Sequence, residues 1–319
     1  MITTVLLLIL GLIMVIYGAD IMVDGASALA KAYNIPNIVI GLTVVAFGTS
    51  APELAISVYS AMTGNTEIAI GNVVGSNICN ILLILGITGI IAPLAILRNT
   101  VLKEIPFSIL AALVIYFMLQ DTWLGGGGPN MISTADGFIL LGFMSVFMYY
   151  LLSLAKNNPD EKAEKINNMP LWRSILFIII GLILLVFGGK FFVDNASSIA
   201  EGFGMSKAII GVTIVAIGTS LPELATSVVA AMKKNADIAV GNVIGSNVFN
   251  VFFVLGVSSV VNPLDRGAIS NVDLYSVIGS SVLLFLACFV FARYKITRKE
   301  GIIFIASYVG YITYQISLI

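Results

Sequence analysis

Histidine is absent from the 319 residues of this chain, which removes imidazole catalysis, imidazole metal ligation and histidine proton relays. Cysteine is nearly absent. Cys79 and Cys288 lie in separate apolar runs and suggest neither a disulfide framework nor a zinc site. Charge is also scarce: Asp, Glu, Lys and Arg make up 10% of the chain and net to −1. No basic block provides the electrostatic footprint that nucleic acid requires. What is present is apolar: 59% of residues are hydrophobic, with a mean hydropathy of +1.04. A soluble domain has no use for that much apolar surface, so the expected solvent for most of the chain is lipid.

Thr3 to Ala19 is apolar, with no basic residue before it and no small-residue cleavage site after it. It reads as a retained first membrane helix. Runs long enough to cross a bilayer fall roughly at 3–30, 37–63, 67–92, 103–119 and 132–155, then at 172–200, 207–232, 237–262, 273–292 and 300–318. The expectation is an all-α integral membrane protein of ten transmembrane helices. It comprises a first five-helix repeat over 1–156, a solvated cytoplasmic linker over 157–171 and a second five-helix repeat over 172–319, together one membrane domain. Pro36, Pro93, Pro106, Pro129, Pro170 and Pro263 fall near span ends, where a missing amide donor is tolerated. Gly125 to Gly128 reads as a flexible external loop.

Basic residues set the expected orientation. One side collects Lys31, Arg98, Lys103, the linker lysines, Lys233, Lys234, Arg293, Lys295, Arg298 and Lys299. The other has little beyond Lys207 and Arg266, with Lys190 near a helix end. The first side is expected to be cytoplasmic, which puts both termini outside.

The stretch Gly41 to Pro93 recurs as Gly211 to Pro263 at a constant offset of 170 residues, with about half the positions identical. Each copy carries Gly-Thr-Ser-x-Pro-Glu, at 48–53 and 218–223, and then Gly-Asn-x-x-Gly-Ser-Asn-x-x-Asn, at 71–80 and 241–250. An odd number of spans per copy makes the second copy enter the membrane from the opposite side. Inverted repeats meet at the midplane, so Glu53 and Glu223 are expected to converge there.

The chemistry of the motif follows from its residues. Pro52 and Pro222 each remove one helical hydrogen bond inside an apolar span, so carbonyls near Ala46 to Thr49 are expected to lack their usual donors. Thr49 and Glu53 share a helical face if helical geometry persists across the proline. Asn72, Ser76 and Asn80 form one polar stripe at i, i+4 and i+8, repeated by Asn242, Ser246 and Asn250. Ser76, Asn80 and their counterparts suit ligation; Asn72, Asn77, Asn242 and Asn247 suit either ligation or interhelical hydrogen bonding. The pairs Gly71/Gly75 and Gly241/Gly245 allow close helix approach. Carboxylates, hydroxyls, amides and carbonyls are all hard oxygen donors, fitting Ca²⁺, Na⁺ or Mg²⁺ rather than zinc or copper. Two carboxylates balance one Ca²⁺, several Na⁺ or two protons, and that interchange is the physical basis of antiport.

These doubled motifs resemble the alpha repeats of the calcium/cation antiporter superfamily, on the branch of small prokaryotic Na⁺/Ca²⁺ exchangers. The resemblance covers essentially the whole chain. It implies two long tilted helices, about 3–30 and 172–200, sliding across an eight-helix core with broken helices at a midplane site. It implies as ion ligands Glu53, Thr49, Ser50, the Ala46 carbonyl, Ser76 and Asn80, with Glu223, Thr219, Ser220, the Ala216 carbonyl, Ser246 and Asn250. Asparagine at 250, where some relatives carry aspartate, lowers the case for K⁺ cotransport. The implied activity is alternating-access exchange of Na⁺ for Ca²⁺ across the cytoplasmic membrane, normally exporting Ca²⁺. The expected partners are these ions and the bilayer, with no cofactor, no nucleic acid and no obligate protein partner.

The alternative is an H⁺/Ca²⁺ exchanger using the same two glutamates. A cation channel would not need an inverted duplication, and an intramembrane enzyme would leave Ser50 and Ser220 without a base beyond those two acids. Asp24 and Asp194 are equivalent and suit interfacial anchoring or ion guidance. Asp20 aligns with Lys190 and is left outside the site, Glu67 and Asp237 read as helix N-terminal acids, and Cys79 as a small core residue.

Overall fold

The computed structural model describes residues 2–122, 129–157, 169–203, 216–291 and 293–317. The Gly125 to Gly128 loop, Lys207, residues 207–215 of the expected seventh span and most of the linker lie outside the described residues. Helices dominate: α1 (Ile2–Ala32), α2 (Asn37–Thr49), α3 (Ala51–Met62), α4 (Thr66–Ile91), α5 (Thr100–Met118) and α6 (Thr134–Asn157). They are followed by α7 (Leu171–Gly202), α8 (Ala216–Thr219), α9 (Leu221–Met232), α10 (Ala236–Val261), α11 (Asn271–Phe291) and α12 (Arg298–Ser317). Among the described residues seven helices are long and apolar enough to cross a membrane, and the bent pair α2 and α3 makes an eighth. This is an all-helical membrane protein, apart from four two-residue strands in its loops.

Those strands are informative. β1 (Leu94–Ala95) pairs antiparallel with β4 (Lys295–Ile296), and β2 (Met131–Ile132) with β3 (Leu264–Asp265). Each pair joins a loop of the first half of the chain to a loop of the second. Prolines 93 and 263, which end α4 and α10, direct both chains into this extended backbone.

Burial separates a core from a lipid-facing shell. The apolar stretch of α10 is 94% buried and that of α4 72%, against 28% in α1 and in α7. α4 and α10 are therefore the axis of the molecule, while α1 and α7 lie outside it. With 31 residues at about 1.5 Å each, α1 outruns a hydrocarbon layer of about 30 Å, so it tilts or projects beyond it.

α1 and α7 pack antiparallel through residues spaced by seven. A Cβ added at Gly11 would lie 2.8 Å from the Gly188 carbonyl, one at Gly18 2.9 Å from that of Gly181, and one at Gly25 2.7 Å from that of Ser174. Backbone meets backbone along the whole crossing, a contact only glycine permits.

The second expected span is broken rather than merely kinked. α2 stops at Thr49, Ser50 leaves the helical region at ψ 6°, and α3 starts at Ala51 with a 47° change of direction. Pro52 falls in the first turn of the new helix, where its missing N–H costs little. Ser220 at ψ 9° and Pro222 repeat the arrangement between α8 and α9. Residues 41–45, 79–84 and 250–255 form wider π turns within α2, α4 and α10. Such turns re-aim side chains and are frequent at functional sites.

Candidate cation site at the helix breaks

The two breaks face the crossing of α4 and α10, so each motif meets its counterpart. Glu53 and Glu223 are each 1% exposed, and Thr49, Ser50, Ser76, Asn80, Ser220, Ser246 and Asn250 are likewise buried. Thr219 is half-buried, unlike its counterpart Thr49. Ala216 opens α8 and is the first described residue of its motif.

The halves interlock. Ser50 Oγ donates to Glu223 Oε1 at 3.4 Å, across the two copies, while Ser76 Oγ donates to Glu53 Oε1 at 3.2 Å. The hydroxyl oxygens of Ser76 and Ser220 are 3.4 Å apart, and those of Thr49 and Ser246 are 3.5 Å apart. One carboxylate oxygen of each glutamate is thus engaged by a serine. The other is not: Glu53 Oε2 and Glu223 Oε2 are buried without a hydrogen-bond partner, and so are Asn80 Oδ1 and Asn250 Oδ1. Two carboxylate oxygens and two amide oxygens, matched by the repeat, are therefore desolvated acceptors. Buried acceptors left unsatisfied are costly, and oxygens of this kind are the donors that hard cations take.

Asn72 and Asn242 have the same role in each copy. Asn72 Nδ2 donates to the Glu53 carbonyl at 3.2 Å and to Ser57 Oγ at 3.0 Å; Asn242 Nδ2 donates to the Glu223 carbonyl at 3.2 Å and to Ser227 Oγ at 3.0 Å. Their amides therefore tie the glutamate-bearing helix to the central helix, the interhelical bonding that was one of two readings. Ser57 and Ser227, each four residues past a glutamate, were missed as its partners although the duplication contains both. Asn77 and Asn247 bond across the crossing: each amide Nδ2 donates to the other's main-chain carbonyl, at 3.1 and 3.2 Å.

The Ala46 carbonyl differs from expectation. It keeps its helical donor, Ser50 N, at 3.0 Å, and is approached by Thr49 Oγ1 at 3.3 Å and Ser246 Oγ at 3.5 Å. The reason is positional: the helical acceptor for the N–H that Pro52 lacks is Gly48, not Ala46. Thr49 also does not simply share a face with Glu53. The break intervenes, and Thr49 Oγ1 donates to Asn242 Oδ1 at 2.9 Å.

Other singled-out residues lie apart. Asp24 and Asp20 of α1 both pair with Lys233 Nζ, at 2.6 and 2.8 Å, a contact missed because neither the lysine nor Asp20 is repeated. Glu67 and Asp237 lie in the first turns of α4 and α10, as expected; Glu67 Oε2 accepts from Ala268 N at 3.3 Å, and Asn235 adds a side-chain cap to α10 through Ile238 N. Cys79 is buried, as a core residue should be.

Comparison with known proteins identifies a family. The sodium/calcium exchanger protein family matches residues 3–153 and 173–317. The inner membrane protein YrbG of Escherichia coli is 34% identical over 88% of this chain and 87% of its own. The sodium/calcium exchanger MaX1 of Methanosarcina acetivorans is 32% identical, covering 96% of this chain and 97% of its own. A solved structure of the sodium-calcium exchanger NCX_Mj superposes with a TM-score of 0.81 at 37% identity, covering 98% of each chain. The chain belongs to the sodium/calcium exchanger family.

Proposed function

We propose that the protein is a secondary active antiporter that exchanges Na⁺ for Ca²⁺ by alternating access, with the cluster at the helix breaks as its only transport site. The observation that carries this reading is the set of four buried, unpartnered oxygens, Glu53 Oε2, Glu223 Oε2, Asn80 Oδ1 and Asn250 Oδ1. Two carboxylates would offset the charge of one Ca²⁺, and the two amide oxygens would add neutral hard-oxygen donors. Thr49, Ser50, Ser76, Thr219, Ser220, Ser246 and the carbonyls of Ala46 and Ala216 supply the remaining positions, which Na⁺ ions occupy when Ca²⁺ leaves. Without a cation the paired carboxylates repel each other in a desolvated pocket, so an empty site resists crossing and a filled one moves.

The architecture we infer is ten transmembrane segments in two inverted five-helix repeats. Adding the segment that ends at Met232 and α12 to the eight apolar spans gives that number. The strand pairs support inversion, because β1 after the third segment meets β4 before the tenth, and β2 before the fifth meets β3 after the eighth. Loops that pair lie on one side of the membrane. The excess of lysine and arginine on one set of loops assigns that side to the cytoplasm, with both termini outside, in the cytoplasmic membrane.

The inward Na⁺ gradient would then drive Ca²⁺ export. MaX1 and NCX_Mj, each similar to this chain over nearly its whole length, are named sodium/calcium exchangers, whereas the Ca²⁺/H⁺ antiporter ChaA of Bacillus subtilis is 26% identical over 77% of it, which favours Na⁺ over proton coupling. The test is ⁴⁵Ca²⁺ uptake into proteoliposomes under separately imposed Na⁺ and pH gradients. Uptake driven by outward Na⁺ alone is expected; uptake driven only by the pH gradient would make the protein a proton/Ca²⁺ exchanger.

A further inference from the structure

The Asn80 and Asn250 amide oxygens are left without a partner for a reason that can be traced bond by bond. Asn247 Nδ2 donates to the main-chain carbonyl of Asn77 at 3.2 Å, and a carbonyl can only accept. The Asn247 amide is therefore locked with Oδ1 on its other edge. That oxygen accepts from Asn80 Nδ2 at 2.9 Å, so Asn80 must present its NH₂ there and turn Oδ1 away. Asn80 Oδ1 is buried without a partner. The mirror chain is complete: Asn77 Nδ2 donates to the Asn247 carbonyl at 3.1 Å, Asn77 Oδ1 accepts from Asn250 Nδ2 at 3.1 Å, and Asn250 Oδ1 is left free.

An asparagine side chain has a donor edge and an acceptor edge of nearly equal shape, so packing alone chooses poorly between them. With the NH₂ edge inward, a cation would meet two partial positive charges instead of a lone pair. Asn77 and Asn247 are each no more than 3% exposed, so neither bond of the chain faces bulk water. Burial also makes each hydrogen bond decisive, because the losing orientation leaves a donor facing an acceptor's place.

We propose that Asn77 and Asn247 are positioning residues that act through Asn250 and Asn80 respectively, setting which edge of each amide the transported cation meets. The inference rests on the reading of the cluster as a cation site. Each half of the repeat orients the ligand of the other, so the two half-sites cannot be tuned separately.

The test is a pair of double-substitution cycles in proteoliposomes, read as KM and maximal rate of Na⁺-driven ⁴⁵Ca²⁺ uptake. Asn77→Ala frees the Asn250 amide to turn and is expected to raise KM for Ca²⁺ about tenfold, with a smaller change in maximal rate. Aspartate at 250 has no donor edge to present. The Asn77→Ala penalty is therefore expected to vanish in the Asn250→Asp background, bringing the double variant to the KM of Asn250→Asp alone. Asn247→Ala with Asn80→Asp gives an independent mirror determination if the first pair folds poorly. An unchanged KM in Asn77→Ala and Asn247→Ala, or an equal penalty with and without the aspartate, would reduce both residues to packing and overturn the proposal. Loss of Na⁺-driven uptake in the unsubstituted protein is a different result: it would overturn the exchanger reading itself, and the positioning role with it.

Discussion

Ser50 in the first copy of the motif donates its hydroxyl hydrogen to Glu223 in the second, across 173 residues of sequence and 3.4 Å of space. The two glutamates therefore lie in one hydrogen-bonded cluster to which both copies contribute, and the proposed site needs both. Glu53→Gln and Glu223→Gln should each lower Na⁺-driven Ca²⁺ flux by about two orders of magnitude, since each strips one charge from a desolvated pair of ligands. A variant retaining half the parental flux would mean that the copies work independently.

Lys233 joins the end of α9 to Asp20 and Asp24 of α1, and the matching position in the first copy is Thr63. α1 packs along α9, whereas α7 has no comparable packing along α3. The α1–α9 seam is thus packed and bridged by these ion pairs. Lys233→Gln should release it, shifting the balance between the two states by up to about fivefold, the range of a partly exposed ion pair. Spin labels on α1 and α9 would report this as a longer-distance population. An unchanged distance distribution would show that the ion pair does not hold the seam.

The α1 and α7 crossing tolerates no side chain. A Cβ at Gly18 would sit 2.9 Å from the Gly181 carbonyl and 3.0 Å from Leu185 N, and main-chain atoms cannot swing aside. Gly18→Leu should cost about 1–3 kcal/mol or separate the pair, lowering Tm and abolishing flux. Parental Tm and flux in this variant would mean that the two helices are not held at that spacing.

Lys234 adopts a left-handed backbone at φ +62°, where the equivalent residue of the first copy is Gly64 at φ +79°. Both close the turn after a site-bearing helix, with Asn235 N bonding the Ala230 carbonyl and Asn65 N that of Ser60. Lys234→Gly should therefore stabilise the protein by about 1 kcal/mol, seen as a raised Tm. A fall in Tm would assign the lysine side chain a contact worth more than the strain.

Much of the site was legible because it is written twice. A carboxylate beside a proline in an oily span is ambiguous once, but Glu53 and Glu223 at a fixed offset exclude chance. The break was legible as an interruption, though its position was not: it falls at Ser50, two residues before Pro52, because proline is comfortable in the first turn of a new helix. The same displacement explains why Ala46 keeps its amide donor. The separate tasks of Asn72 and Asn77 could not be read from spacing, since five residues put them on different faces of one helix but name no partner for either: Asn72 meets Glu53 and Ser57, Asn77 meets Asn247. Lys233 was hidden for the opposite reason: it has no repeat, so the duplication that exposed the site was silent about the latch. The glycines at 11, 18 and 25 went unread in the sequence, because a spacing of seven names no partner until α7 is laid against it.

The most direct measurement is calorimetric titration of Ca²⁺ into the purified protein, with Na⁺ as competitor. A shared pocket predicts binding of a single Ca²⁺ per chain, displaced by Na⁺ and abolished by Glu53→Gln and by Glu223→Gln alike. Two independent Ca²⁺ sites, each lost with only one of the substitutions, would contradict it.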